Sequence, residues 1–216
     1  ANICLYPVPV AGRTGNSVHL LTLPDHSVQM YYSLAGTVHQ RVYSRVGAFL
    51  AESEVLPGTG WANPCYTYPP HVAAGRERTS QTWIAGAQVE HLASGTATKL
   101  AMSAQMGSAF TLPETIFTGY DQVEIEPVRD ASQYILGMLR KISDSRWYQT
   151  VGTVAGTTAI WSTPALASGI TAGTTARGSL AQSLSDGKWY FGYIDNSGVP
   201  MLAVSTDQFG HPDSWS

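Results

Sequence analysis

The run WYFGYI, Trp189 to Ile194, places large apolar or aromatic side chains at five of six consecutive positions, with Gly192 as the single small residue. Side chains alternate across a strand, so Trp189, Phe191 and Tyr193 share one face while Tyr190, Gly192 and Ile194 share the other. Neither face is polar. Asp195, Asn196, Ser197 and Gly198 follow as a turn that tolerates positive φ, and residues 199–205 return as a second strand, predicting a β-hairpin. Pro200 belongs at the edge or among the first residues of that return, where a missing N–H costs least. A strand apolar on both faces needs two covers. Either its own domain supplies both, or a second subunit covers one.

The rest of the chain continues in the same style. Residues 18–23, 27–51, 82–92, 96–105 and 122–128 are short apolar or alternating runs between glycine, proline and Asx punctuation. Within 27–51 the alternation of Val38, Val42 and Val46 fails against Tyr43, which places a bulge or break near Gly36 or Gly47. One stretch, residues 130–143, departs from this. Ala131, Tyr134, Ile135, Met138, Leu139 and Ile142 recur at three- and four-residue steps, Asp130 can cap, and Arg140 and Lys141 fall at the C-terminal end, which together predict a helix. Gly137 weakens that reading, and a strand from Tyr134 to Ile142 is its alternative. The string AGTTA at 155–159 and 172–176 marks two similar strands or loops rather than a repeat array.

The expected fold is therefore all-β and mainly antiparallel: a single-domain β-barrel or sandwich with long loops and at most one or two short helices. Charged residues make up only 12% of the 216-residue chain, about half the usual share, so the surface must rest on uncharged polar groups. A net charge of −3 provides no basic footprint for nucleic acid. No run approaches the length of a membrane span, so no membrane insertion is expected. Cys4 and Cys65 could form one bridge but have no metal-ligand spacing, and no motif calls for a cofactor or a metal.

Catalytic signatures are sparse. Ser17, His19, Asp25 and His26 are close in sequence, but a triad is a spatial arrangement and adjacency implies no oxyanion hole. Glu124 and Glu126 share one strand face; they would suit glycoside hydrolysis only if they flanked a sugar bond, and such a pair is ordinarily a strand's wet face. The tripeptide at His211 to Asp213 lacks the flanking helices that would give it meaning. More informative is GTGWANPCYTYPPH, a glycine- and proline-rich loop carrying Trp61, Tyr66 and Tyr68. These rings either plug the end of the domain or form a receptor or glycan platform.

The charge-poor, threonine-, glycine- and serine-rich makeup, the lack of sequons and catalytic motifs, and the WYFGYIDNSGVPMLAVS hairpin resemble an astrovirus capsid spike, of the avian branch. The resemblance spans the whole chain, residues 1–216, as one projecting domain cut from a larger capsid polyprotein. It implies a β-barrel-like domain on the virion surface that acts as a homodimer, attaches to a host-cell receptor, glycan or protein, and meets neutralising antibodies, without catalysis. Tyr190, beside the space left by Gly192, is then the expected dimer-interface residue. The alternative is a free-standing carbohydrate-binding module or lectin with a shallow aromatic platform. An enzyme would instead need a deep pocket with perturbed ionisable groups.

Overall fold

The computed structural model describes residues 18–22, 27–34, 37–56, 71–76, 82–92, 95–103, 114–128, 131, 133–156, 158–172, 178–183 and 185–216. These residues form an all-β, antiparallel fold whose only helical element is one 3-10 turn at Pro212–Ser214.

The strands group into four sheets, each made of consecutive strands in chain order. The first sheet holds β1 (Val18–Thr22), β2 (Val28–Leu34), β3 (Thr37–Tyr43) and β4 (Phe49–Leu56). The second holds β5 (His71–Arg76), β6 (Thr82–Leu92), β7 (Gly95–Ser103) and β8 (Glu114–Thr118). In the third, β9 (Tyr120–Pro127), β10 (Tyr134–Lys141), β11 (Trp147–Ala155) and β12 (Thr158–Trp161) pair in turn, and the short β13 (Ala165–Leu166) also pairs with β11. In the fourth, β14 (Ser179–Gln182), β15 (Trp189–Ile194) and β16 (Pro200–Ser205) pair in turn, and an isolated bridge links Ser205 at the end of β16 to Trp215. Residues 27–51 thus break twice, before β3 and again around Gly47, whose φ of 81° suits glycine.

The sheets are arranged by their first strands. β1 touches β5, β5 touches β9, and β9 touches β14, so the leading strand of each sheet lies innermost and the later strands fan outward. This is the relation between successive blades of a β-propeller. Sheet-on-sheet packing, the sandwich relation expected from the sequence, occurs on both faces of the third sheet. One face gathers Val123, Ile125, Ile135, Leu139 and Val154 with Ile116 and Phe117 from β8. The other packs Leu136, Met138 and Trp147 against Leu180, Trp189, Phe191 and Tyr193 of the fourth.

The helix expected over residues 130–143 is not formed. Tyr134–Lys141 is β10, hydrogen-bonded between β9 and β11 and buried at six successive positions, Ile135 to Arg140. A strand covered on both sides carries apolar residues on both faces, and their spacing coincides with that of a helical stripe. Gly137 has a packing reason: a Cβ there would lie 2.9 Å from Thr150 Cγ2 and 3.2 Å from the Trp161 ring, which also lies across Gly152.

The hairpin WYFGYI-DNSG-VPMLAVS forms as expected. Trp189, Phe191 and Tyr193 are buried, with Phe191 stacked on Tyr193 at 5.7 Å and edge-on to Trp147 at 4.7 Å. Asp195 Oδ1 accepts the Ser197 and Val199 N–H groups to shape the turn, and Pro200 is the first residue of β16, paired with Ile194. The other face of β15 is partly open: Tyr190, Gly192 and Ile194 are half-buried, and Leu202, which pairs with Gly192, is 62% exposed.

Candidate functional site

The strand β9 occupies the innermost place in the third sheet and meets β5, β6, β7 and β14. Such a strand should be apolar, yet its sequence is YDQVEIEP. Val123 and Ile125 turn into the core on one side, which leaves Gln122, Glu124 and Glu126 on the other, opposite Arg140, Met138 and Leu136 of β10. That is the side facing the fourth sheet.

Glu124 is 7% exposed and Gln122 3%, so this carboxylate pair is not the wet face that the sequence suggests. The local alternation is as read; what sequence spacing does not contain is that β9 lies innermost. Burial pushes the Glu126 carboxyl up to about 7, and the negative charge of Glu124 adds to the rise. The folded environment therefore favours the protonated form of Glu126 more than water does. Residues two apart on a strand lie about 7 Å apart along it and project in parallel.

A buried ion pair sits at the start of the same strand. Arg140 Nη1 donates to Asp121 Oδ2, and its Nη2 lies 3.5 Å from Ser145 Oγ. Asp121 Oδ1 is buried with no hydrogen-bond partner among the described residues. Asp121, Gln122, Glu124 and Glu126 thus form one polar track along β9, with Arg140 and Gln149 buried beside it on β10 and β11. Among the described residues no group of three or more His, Cys, Asp or Glu side chains could hold a metal ion.

The other sequence-derived candidates fall elsewhere. Trp61, Tyr66, Tyr68, Cys4, Cys65, Ser17, Asp25 and His26 lie outside the described residues. His211 caps the 3-10 turn, its Nδ1 accepting the Asp213 N–H at 3.4 Å, which is a local structural role. Sequence reasoning did not single out a row of rings where the second and third sheets meet: Trp161 meets Phe117 at 5.8 Å, Phe117 meets Tyr120 at 6.1 Å, and Tyr120 meets Tyr148 at 6.0 Å, all edge to face. The row packs on the cluster around Val123 and Ile125, on the opposite face from Glu124 and Glu126. It therefore cannot join the carboxylates in one site.

No protein-family model matches the chain, and no curated protein matches it in sequence. Solved structures do resemble it in fold. Among them are Hadza microbial sialidase Hz136 (TM-score 0.58, 12% identity, 92% of this chain and 45% of that one) and the endo-arabinase from Bacteroides thetaiotaomicron (0.58, 12%, 95% and 79%). The K499G mutant of NanB sialidase from Streptococcus pneumoniae is another (0.57, 10%, 85% and 28%). The chain spans less than half the length of either sialidase. These neighbours are carbohydrate-active proteins, and at such identities the likeness is one of fold.

Proposed function

We propose that this chain is a carbohydrate-recognition domain that binds its glycan without cleaving it. The observation that carries the reading is the polar track on β9. Asp121, Gln122 and Glu124 are buried, Asp121 Oδ1 has no hydrogen-bond partner among the described residues and burial raises the Glu126 pKa, and such polar groups are characteristically kept where they meet a ligand. A protonated Glu126 can donate while the carboxyl and amide oxygens beside it accept, which matches the hydroxyl groups of a sugar. The same placement argues against hydrolysis. A glycosidase sets its two carboxyls on opposite sides of the scissile bond, whereas Glu124 and Glu126 project together from one strand and approach a bond from one side. The fold likeness to sialidases and an arabinase supports a saccharide as the ligand class.

A glycan array probed with the full chain tests this. Binding to a defined set of glycans is expected, with Glu124→Gln and Glu126→Gln each weakening it about tenfold or more while the circular dichroism spectrum is kept. Sugar release from the bound glycans would show an enzyme, and binding to no glycan would end the reading.

A second reading places the same recognition on a virus particle, as an attachment spike, and the outer face of the fourth sheet favours it. Ser179, Ala181, Tyr190, Gly192, Ile194, Pro200, Leu202 and Val204 form a face with no charged residue. Directly beside the exposed Leu202, a Cβ at Gly192 would meet nothing within 4 Å. A twofold axis between Leu202 and Gly192 would seat each leucine on the glycine of the other copy, with Tyr190 at the margin of the contact. Light scattering tests this. A mass twice that of the 23.1 kDa chain, reduced to the monomer by Tyr190→Asp, is expected; a monomer at every concentration removes the dimer.

A further inference from the structure

The polar track of β9 meets solvent at one end. Asp121 to Ile125 are buried and Glu126 is half-exposed, so a ligand reaches the track from the side of Glu126. Glu126 pairs with Leu136 of β10, and Val128, two residues on, donates its N–H to the Tyr134 carbonyl at 2.9 Å. Tyr134 is thus a diagonal neighbour of Glu126 on the same face of the sheet, about 7–8 Å away and within reach of an aromatic ring. Its packing agrees, because it borders the cluster around Leu136 and Met138 that faces the fourth sheet.

A second ring is brought to this place by the segment that follows β16. Phe209 lies edge-on to Tyr134 at 5.2 Å. Its backbone is fixed by several bonds: Asp207 Oδ1 accepts the Phe209 and His211 N–H groups at 2.9 Å each, Gly210 N–H donates to the Asp207 carbonyl at 3.0 Å, and Gln149 Nε2 donates to the Phe209 carbonyl at 3.0 Å. A Cβ at Gly210 would lie 3.1 Å from Leu136 Cδ2, so the segment rests directly on the residue that pairs with Glu126. Even so, Phe209 stays 37% exposed and Tyr134 only half-buried.

Rings held rigidly yet left partly open beside a carboxyl group have the two parts of a saccharide contact: a flat apolar surface for the C–H face of a pyranose ring, and a polar group for the hydroxyls at its rim. We propose, on the reading of β9 as a glycan site, that Tyr134 and Phe209 form its stacking surface and that the site takes a neutral pyranoside. Charge selects the neutral sugar. Asp121, Glu124 and Glu126 bring three carboxyl groups to the track, and the guanidinium beside them, Arg140, is already bonded to Asp121. A sialic acid, uronic acid or sulfated sugar would set a further negative charge against them, a repulsion that a neutral sugar avoids.

A glycan array carrying neutral glycans beside their sialylated and sulfated forms, probed with the full chain and its variants, is the test. The wild type is expected to bind neutral glycans and to bind their acidic forms about tenfold less tightly or worse. Phe209→Leu, which keeps an apolar side chain but removes the ring, should weaken binding about tenfold, and Phe209→Tyr, which keeps the ring, should retain it. Both variants should keep the wild-type melting temperature, because the Phe209 side chain is exposed and its backbone bonds are unchanged. Binding that Glu126→Gln weakens but Phe209→Leu leaves unchanged overturns the proposal while keeping β9 as a glycan site. Equal losses in Phe209→Leu and Phe209→Tyr, or a preference for the acidic forms, also overturn it. Binding of the wild type to no glycan removes the stacking surface and the glycan site together.

Discussion

The strands β9 and β15 are both buried parts of the same stacked interior, yet they use burial in opposite ways. β15 hides Trp189, Phe191 and Tyr193, which gain from leaving water and meet one another and Trp147 as rings. β9 hides Asp121, Gln122 and Glu124 and half-hides Glu126, polar groups whose burial needs partners such as the Arg140 guanidinium on Asp121. Under the proposed function the difference separates scaffold from site: β15 holds the sheets together, and β9 would be kept polar for a ligand.

The contrast can be broken most violently on the scaffold side. Trp189→Ala should cost about 3–5 kcal/mol, enough to unfold the fourth sheet from the third, read as a fall in the denaturant midpoint and loss of near-ultraviolet circular dichroism. Within the polar strand the loss should be as large only where charge is already compensated. Arg140→Ala strands the buried Asp121 carboxylate and should cost about 3–5 kcal/mol, whereas Arg140→Ala with Asp121→Ala together should recover part of it.

Glu126 should behave in the reverse sense. Its folded pKa, about 7, lies above the ordinary carboxylate value, so the folded state holds its proton more tightly. The stability it contributes is complete below about pH 4.5 and falls as pH rises through 7. Glu126→Gln should remove that fall and stabilise the chain by about 1–3 kcal/mol at pH 8, with little change at pH 4, measured as melting temperature against pH. A binding residue whose replacement stabilises the fold while weakening glycan binding is the signature expected of β9 and of no position on β15.

The smallest effect belongs to the outer face of β15. Tyr190→Asp should leave chemical stability within about 0.5 kcal/mol, since the side chain is half-exposed and its neighbour Gly192 leaves space. A large loss there would mean that both faces of the strand are core after all.

The sequence carries the β-architecture in its local patterns, because alternation and Asx–Gly turns act within a few residues; the hairpin at 189–205 follows directly, whereas residues 27–51, read as one run with a single bulge or break, contribute to three strands. It misleads at residues 134–141, where a strand covered on both faces and a helix with an apolar stripe have overlapping patterns, and only pairing with β9 and β11 decides between them. The alternation of Glu124 and Glu126 is equally legible, but whether the polar side of a strand faces water depends on its place in the sheet stack. That place is set by contacts with β5, β6, β7 and β14, the nearest of them distant in sequence. The aromatic loop with Trp61, Tyr66 and Tyr68 was the more visible functional signal and lies outside the described residues.

The most direct test of β9 as a recognition site is a titration of the Glu126 side-chain carboxyl by carbon-13 NMR, in the free chain and with a glycan taken from the array. The account predicts a midpoint near 7 in the free chain, absent from Glu126→Gln, and a shift of about half a unit or more when the glycan is bound. A midpoint at the ordinary carboxylate value, unmoved by the glycan, would contradict it.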